Sequence, residues 1–263
     1  MIRTKPLGLF VAAWLAWVPL GGFCQDVATV ISVDPGATLV RAQAQVRLAA
    51  GAGVASGDVI TTDRRGQVQL LFGDETRVAI GPNARFVVEN VVLNSKGRAR
   101  TFAVSAVAGS FRFLTGKSRK SAYAIDTPTA TMGIRGTVFD FVVHDTSGTD
   151  LILFSGQVRM CGRGGQCYRV VGGCAAVAMD RGGTLSAVGA GGNRRSLIAD
   201  GFSFVTDQSQ LQPEFRTEVG SCGRDVARPP QRIERGDHAP PQPSPPAPPE
   251  PPGPPEPPDP PVI

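Results

Sequence analysis

The side chains that could do chemistry are few in this chain, and their spacing excludes more than it admits. Two histidines are present, His144 and His238, and His144 sits at the end of an apolar stretch where an exposed strand-end role suffices. No Gly-x-Ser-x-Gly elbow occurs, so no hydroxyl nucleophile is marked out. Gly109 to Ser118 ends in Gly116-Lys117-Ser118 like a phosphate loop, yet Phe111 occupies the position where the first glycine must stand,. Asp58, Asp63, Asp74 and Glu75 lie near turns at spacings unlike a calcium loop,. Arg235-Gly236-Asp237 spells an adhesion tripeptide, a match short enough to arise by chance. No acid, base and oxyanion site assemble, and we expect no catalytic residue, no metal, no cofactor and no enzyme.

Two groups of residues do stand out. The first is the run Thr127-Pro128-Thr129-Ala130-Thr131-Met132-Gly133-Ile134-Arg135-Gly136-Thr137, read as one connection between strand-like stretches. Pro128 fixes its own φ and biases Thr127 toward extended backbone. Gly133 and Gly136 allow angles or approaches that a Cβ forbids. Arg135 carries a planar fork of donors. The run is a structural corner in which Arg135 binds backbone carbonyls, or a recognition loop in which it meets an anionic group; the corner reading is preferred, because buried carbonyls need donors. Thr127, Pro128, Gly133, Arg135, Gly136 and Thr137 are the candidate site residues.

The second group is the cysteines. Residues 1–24 read as a secretory signal: Arg3 and Lys5 precede an apolar stretch from Leu7 to Leu20, too short for a comfortable membrane span,. Phe23 before Cys24 argues against lipidation, because that position wants a small residue. Removal of the signal leaves Cys161, Cys167, Cys174 and Cys222, an even number that suits two disulfides in an exported protein,. Three connectivities are possible; the preferred one joins Cys161 to Cys167 across the intervening turn and Cys174 to Cys222. The zinc alternative lacks a Cys-x-x-Cys pair and a nearby histidine.

The formal charge of +5 includes the signal's own basic residues. Lys96, Arg98, Arg100, Arg112, Lys117, Arg119 and Lys120 form a basic cluster without interleaved aromatics, so a solvated face is expected rather than a nucleic-acid site. Attraction to anionic head groups or glycans is the other reading.

These residues must be positioned by β structure. Val68, Leu70 and Phe72 alternate with more polar neighbours, as do Phe102 with Val104 and Phe111 with Phe113,. Val138 to Val143 is almost continuously apolar around Asp140, as in a strand covered on both sides. Turn signals at Gly73-Asp74, Gly81-Pro82-Asn83 and Asn94 to Gly97 punctuate the pattern,. The fold class is all-β: one domain of short strands over 27–190, as a sandwich, roll or short solenoid, with a cysteine-containing extension from about 160. The phenylalanines at 72, 86, 102, 111, 113, 139 and 141 should dominate the core. Residues 191–227 are a mixed segment, with a short helix around Gln208 to Val219. Residues 228–263 are a proline-rich tail, read as polyproline II and disordered,.

In order along the chain, Gly57-Asp58-Val59-Ile60-Thr61-Thr62, Gly66 to Phe72, Gly81-Pro82-Asn83, the Thr127 run and Gly156-Gln157-Val158 resemble the FecR domain family. Departures are Gly73-Asp74-Glu75-Thr76 in place of the family's Asp-Gly-Thr turn, where remodelling is expected, and Ala84 after Gly-Pro-Asn. The resemblance implies a periplasmic or cell-surface sensing or binding role. Regulatory members carry an anti-sigma segment and a membrane helix before this domain, and neither is read here. We therefore expect an exported, non-enzymatic envelope binding or sensing module, periplasmic, secreted or at the cell surface. Its expected partner is an envelope protein or cell-wall glycan, not nucleic acid, and no membrane span remains after signal removal. The alternative is a stand-alone periplasmic partner in transmembrane signalling, working with a transporter or a separate membrane regulator.

Overall fold

A computed structural model describes residues 25–144, 148–189, 191–219, 222 and 230–233. The signal segment, Cys24, the adhesion-like tripeptide, His238 and the greater part of the proline-rich tail lie outside these residues. The described chain is all-β with a short helical cover. Its strands are β1 (Asp26–Val33), β2 (Ala37–Arg41), β3 (Ala44–Arg47), β4 (Gly53–Ala55), β5 (Val59–Thr62), β6 (Val68–Phe72), β7 (Arg77–Ile80) and β8 (Arg85–Leu93). There follow β9 (Ala99–Leu114), β10 (Tyr123–Asp126), β11 (Ala130–His144), β12 (Gly148–Gly162), β13 (Cys167–Val171), β14 (Ala175–Asp180), β15 (Leu185–Ala187) and β16 (Gln231–Ile233). All belong to one mixed sheet, in which β9 and β10 run parallel and the other pairs antiparallel.

Not every strand is short. β9, β11 and β12 run for 16, 15 and 15 residues, and each changes partners part-way. The first half of β9 lies between β8 and β10; its second half, after Gly109, lies between β7 and β11. β11 switches from β10 to β9 around Gly136, and β12 switches from β14 to β13 around Gly156. These bends divide the sheet into two halves joined by three shared strands. The halves face one another: Phe72 of β6 meets Phe102 of β9 with ring centroids 4.7 Å apart, and Phe86 of β8 meets Phe111 at 5.9 Å. The architecture is thus a rolled, sandwich-like pair of layers rather than a solenoid. All seven expected phenylalanines are at most 1% exposed. Each contributes about 1.5–3 kcal/mol by leaving water, and the stacked Phe111–Phe141–Phe139–Phe113 row adds specific ring contacts,.

The outer face of one layer is also covered, by helices α1 (Gly192–Gly201) and α2 (Ser203–Thr206) and a one-turn 3-10 helix at Pro213–Phe215. The helix expected at Gln208 to Val219 is therefore displaced toward the N-terminus, starting at Gly192. The apolar positions explain this: Phe202 packs on Val142, Ile152 and Ala176, while Phe204, Leu211 and Phe215 pack around Ala79. Tertiary packing, not helical periodicity, selects these turns. Val138 to Val143 is accordingly covered on both faces. Gln69, which alternation assigns to the solvent side, is 1% exposed; its amide donates to the Gln210 carbonyl (3.0 Å) and accepts from the Gln212 amide (2.8 Å). A disulfide joins Cys174 to Cys222 at the end of this cover, and a second joins Cys161 to Cys167 across the β12–β13 hairpin.

Candidate functional site

The Thr127 run is not one connection. Thr127 to Thr129 form a tight turn, and from Ala130 onward the run is strand β11. Its threonines do separate work. Thr127 Oγ1 accepts from the Ala130 amide at 2.9 Å, closing the turn, and the Thr127 and Thr129 hydroxyls both bond to Thr149 Oγ1 at 3.0 and 2.8 Å. Thr131 Oγ1 donates to Asp126.

At Arg135 and Gly136 the ladder with β12 breaks into a bulge. Gly136 has φ +60° and faces Gly156 at +86°, where a Cβ would lie 2.1 Å from the Gly136 carbonyl oxygen. The bulge bends both strands, as bulges do. Thr137 repairs the missing bonds: its Oγ1 accepts from the Arg135 amide (3.0 Å) and donates to the Gln157 carbonyl (3.0 Å), and its amide donates to Thr115 Oγ1 (2.8 Å). The corner therefore exists, but the Arg135 guanidinium does not hold it. Thr137 does, and the separate turn at Thr127 is held by Arg163, which donates to the carbonyls of Thr127 and Pro128. Arg135 is exposed and points into a groove.

The groove has a volume of about 780 Å³. Its cations are Lys117, Arg119 and Lys120 on the β9–β10 loop, Arg135 on β11, Arg159 on β12 and Arg169 on β13. Arg159 and Arg169 sit directly opposite one another in the β12–β13 ladder. Gly133, whose ladder partner is Arg159, leaves the floor low. Ser121, Gln157 and Ile233 complete the walls.

The loop bearing three of these cations is fastened from below. Asp74, fully buried, accepts from Tyr123 Oη (2.7 Å), Ser118 Oγ (2.7 Å) and the Thr76 amide (3.0 Å), while its carbonyl receives the Lys117 amide at 2.9 Å. Burial, together with the Asp74 carboxylate, pushes the Tyr123 hydroxyl up to about 12, so it stays a donor throughout the physiological range,. The β6–β7 turn that carries Asp74 is not loosened by its departure from the family pattern. Phe72 and Thr76 keep their bond (2.9 Å), and Glu75 takes the left-handed position at φ +68°. Glu75 also pairs with Lys117 at 2.9 Å, on the groove rim.

Arg112 departs furthest from its expected place in a solvated basic cluster. It is fully buried, its Nε and one Nη donating to the two Asp140 oxygens at 2.7 and 2.8 Å. Its remaining donors reach the Phe204 carbonyl (2.9 Å) and the Gln208 side chain, and its guanidinium lies over the Phe154 and Phe204 rings. Burial raises the Asp140 carboxyl to about 6 despite the opposing pull of Arg112. Arg112 is thus the clasp that holds the helical cover.

A second cavity of about 540 Å³ lies beside Pro82, Asn83, His144, Asp200 and Ser203. His144 pairs with Asp150 at 2.8 Å, and Ser110 bonds to Ser203 at 2.8 Å. Among the described residues the two pairs are not bonded to each other. Asp58 and Asp63 serve turns and ion pairs: Asp58 binds Arg41 at 2.6 Å, and Asp63 accepts from the amides of Arg65 and Gly66. Among the described residues no group of three or more His, Cys, Asp or Glu is placed to hold a metal, and no helix is long and apolar enough to cross a membrane.

Sequence reasoning missed Arg159, Arg169 and Tyr123. One signal was present: a Cys161–Cys167 bridge across a hairpin sets the register, and counting back two residues on each strand brings Arg159 opposite Arg169.

Residues 58–159 match the family described as FecR protein. That span is less than half of the 263-residue chain, and it contains the Gly-Pro-Asn turn, the Thr127 run and the bulge glycines. The class defined here is an all-β module with a FecR region. Two crystal structures of a protein described as an anti-sigma factor from Parabacteroides distasonis ATCC 8503 are also similar. The 1.65 Å structure is 12% identical with a TM-score of 0.41, covering 49% of this chain and 58% of that one. The 2.50 Å structure is 11% identical with a TM-score of 0.41, covering 54% and 63%. This chain therefore spans less than two thirds of either. No curated protein matches the sequence.

Proposed function

We propose that the protein is an exported, non-enzymatic envelope binding or sensing module of FecR type, and that the basic groove beside Arg135 is its recognition surface. The observation that carries this reading is the placement of the Gly-Ile-Arg-Gly-Thr segment. Its Gly136 and Thr137 bend and brace the sheet, while its arginine is left over, exposed among like charges. A side chain kept where it repels its neighbours, with the bracing of the bulge already done by Thr137, serves recognition better than stability,. The two disulfides suit an oxidising compartment,. The family match favours regulation over catalysis.

The ligand is an envelope protein or a cell-wall glycan. A second reading, a stand-alone partner in transmembrane signalling that works with a transporter or separate membrane regulator, is favoured by the same family match. The test is a pulldown from solubilised envelope with the disulfide-bonded protein and its Arg135→Ala variant, with cell-wall glycan as a parallel matrix. Capture that Arg135→Ala loses while keeping its melting temperature supports the groove. Equal capture by both proteins removes it.

A further inference from the structure

The sheet ends at β3, and that end is open. Among the described residues β3 has β2 as its ladder partner, and all four of its residues are exposed. The Leu48 amide donates to the Ala37 carbonyl at 3.3 Å. Backbone groups alternate along a strand, so those of Val46 also turn toward β2, while the N–H and C=O of Gln45 and Arg47 turn outward. Native sheet edges are commonly blunted by proline, lysine or a bulge. β3 reads Ala-Gln-Val-Arg and pairs with β2 in regular register.

The side chains agree with the backbone. Phe86, Ile60 and Leu39 stand side by side across β8, β5 and β2, each at most 5% exposed, and the next position in that row is Val46, 55% exposed. The apolar row therefore runs off the edge of the sheet. The hairpin that carries it is firmly held. Arg41, beside the turn, donates to both Asp58 oxygens (2.8 and 2.6 Å) and to the Gly53 carbonyl (3.1 Å), and the Thr38 and Thr61 hydroxyls bond at 2.8 Å. The two-residue turn places Ala42 at φ +46° and Gln43 at +68°, left-handed positions that asparagine and glycine fill best,. Strain kept for a strand whose residues are all exposed points to a contact outside the monomer,.

We infer that β3 pairs antiparallel with β3 of a second copy about a two-fold axis, with Val46 opposite Val46. In this register Gln45 of each copy faces Arg47 of the other, and each such pair exchanges both of its outward backbone bonds. The apolar row becomes continuous through the two valines, and no like charges stand opposite. Sliding the copies by two residues sets Arg47 against Arg47 one way, and leaves Val46 against Ala44 the other. A slip of one residue turns the backbone donors away from their acceptors. The chain's own residues thus select a second copy and one register. The contact is one short strand, so the pairing is weak and depends on concentration.

The experiment is sedimentation equilibrium of the disulfide-bonded protein from about 10 μM to about 1 mM, a range that brackets such weak affinities. A monomer–dimer equilibrium is expected. Val46→Lys sets like charges opposite, and Gln45→Pro removes an outward donor without taking a bond from the hairpin; each should raise the dimer dissociation constant about tenfold or more. Val92→Lys, a valine 44% exposed on β8, should stay within about twofold,. Register is read separately by mild oxidation of single cysteine variants. Directly opposed residues of a non-hydrogen-bonded pair lie about 4.5 Å apart at Cα, within disulfide reach. Val46→Cys should therefore cross-link through residue 46, with both native bridges intact on peptide mapping, and Gln45→Cys should cross-link at least about tenfold more slowly. Equal rates for the two cysteines, or a dimer indifferent to Val46→Lys and Gln45→Pro, would overturn the inference. So would a monomer at every concentration, which would leave the edge to a strand from another protein.

Discussion

Arg112 and Arg135 sit on neighbouring strands and could hardly differ more in circumstance. Arg112 is wholly desolvated, and a carboxylate, a carbonyl, an amide oxygen and two aromatic faces surround its guanidinium. Arg135 is exposed, with other cations for company. Burial makes a charge costly unless it is paired, so Arg112 must be architectural. Exposure lets a charge go unpaired at little cost, and only there can one be reserved for a ligand. The lesson is that charge clusters along a chain do not share a role: Arg112, Lys117, Arg119 and Lys120 are close in sequence, yet the sheet puts the first under a helical cover and the others on a groove.

The comparison breaks most sharply at Arg112. Arg112→Ala leaves Asp140 buried without its partner and releases the cover, so we expect a loss of about 3–5 kcal/mol in urea unfolding. A loss under about 1 kcal/mol would mean that the clasp is ornamental. Removing the other tie, with Cys174→Ser and Cys222→Ser together, should cost about 2–4 kcal/mol by the same measurement, because the bridge spans 48 residues of chain,.

Asp140 sharpens the contrast through pH. Its carboxyl ordinarily titrates at 3.8 and is raised to about 6 in the fold. The folded state therefore holds more protons than the unfolded state between these values, and Asp140's contribution to stability falls as pH rises through that window and is flat above it. Asp140→Asn should lack that slope when urea midpoints are compared at about pH 4.5 and pH 7. An unchanged slope would place the titration elsewhere.

Arg135→Ala is the counterpart of Arg112→Ala and should shift the unfolding free energy by less than about 0.5 kcal/mol, as for a surface change with no folded partner. A large loss would return Arg135 to the corner. Comparably small, Glu75→Gly relieves a left-handed backbone at the loss of an exposed ion pair, and should stabilise by about 0.5 kcal/mol,. A decrease would show that the Lys117 contact outweighs the strain.

Period-two alternation and the seven phenylalanines made the β class and the core legible, because side-chain direction in a strand follows from local geometry alone. The cysteines of an even-numbered set carried their own pairing hint, since a short intervening turn can close a hairpin. The ordered motifs pointed to the FecR region without any coordinates. What the sequence alone determined was thus which face of each strand is apolar and enters the main core,. Tertiary structure decided everything that depends on two distant segments meeting. Long β9, β11 and β12 were hidden because a bulge glycine looks like a turn glycine in one dimension. Gln69 and Arg112 looked solvent-facing because the cover that buries them comes more than ninety residues later. The groove was invisible for the same reason: its cations come from four elements, and only the folding of one sheet over itself brings them to a common wall.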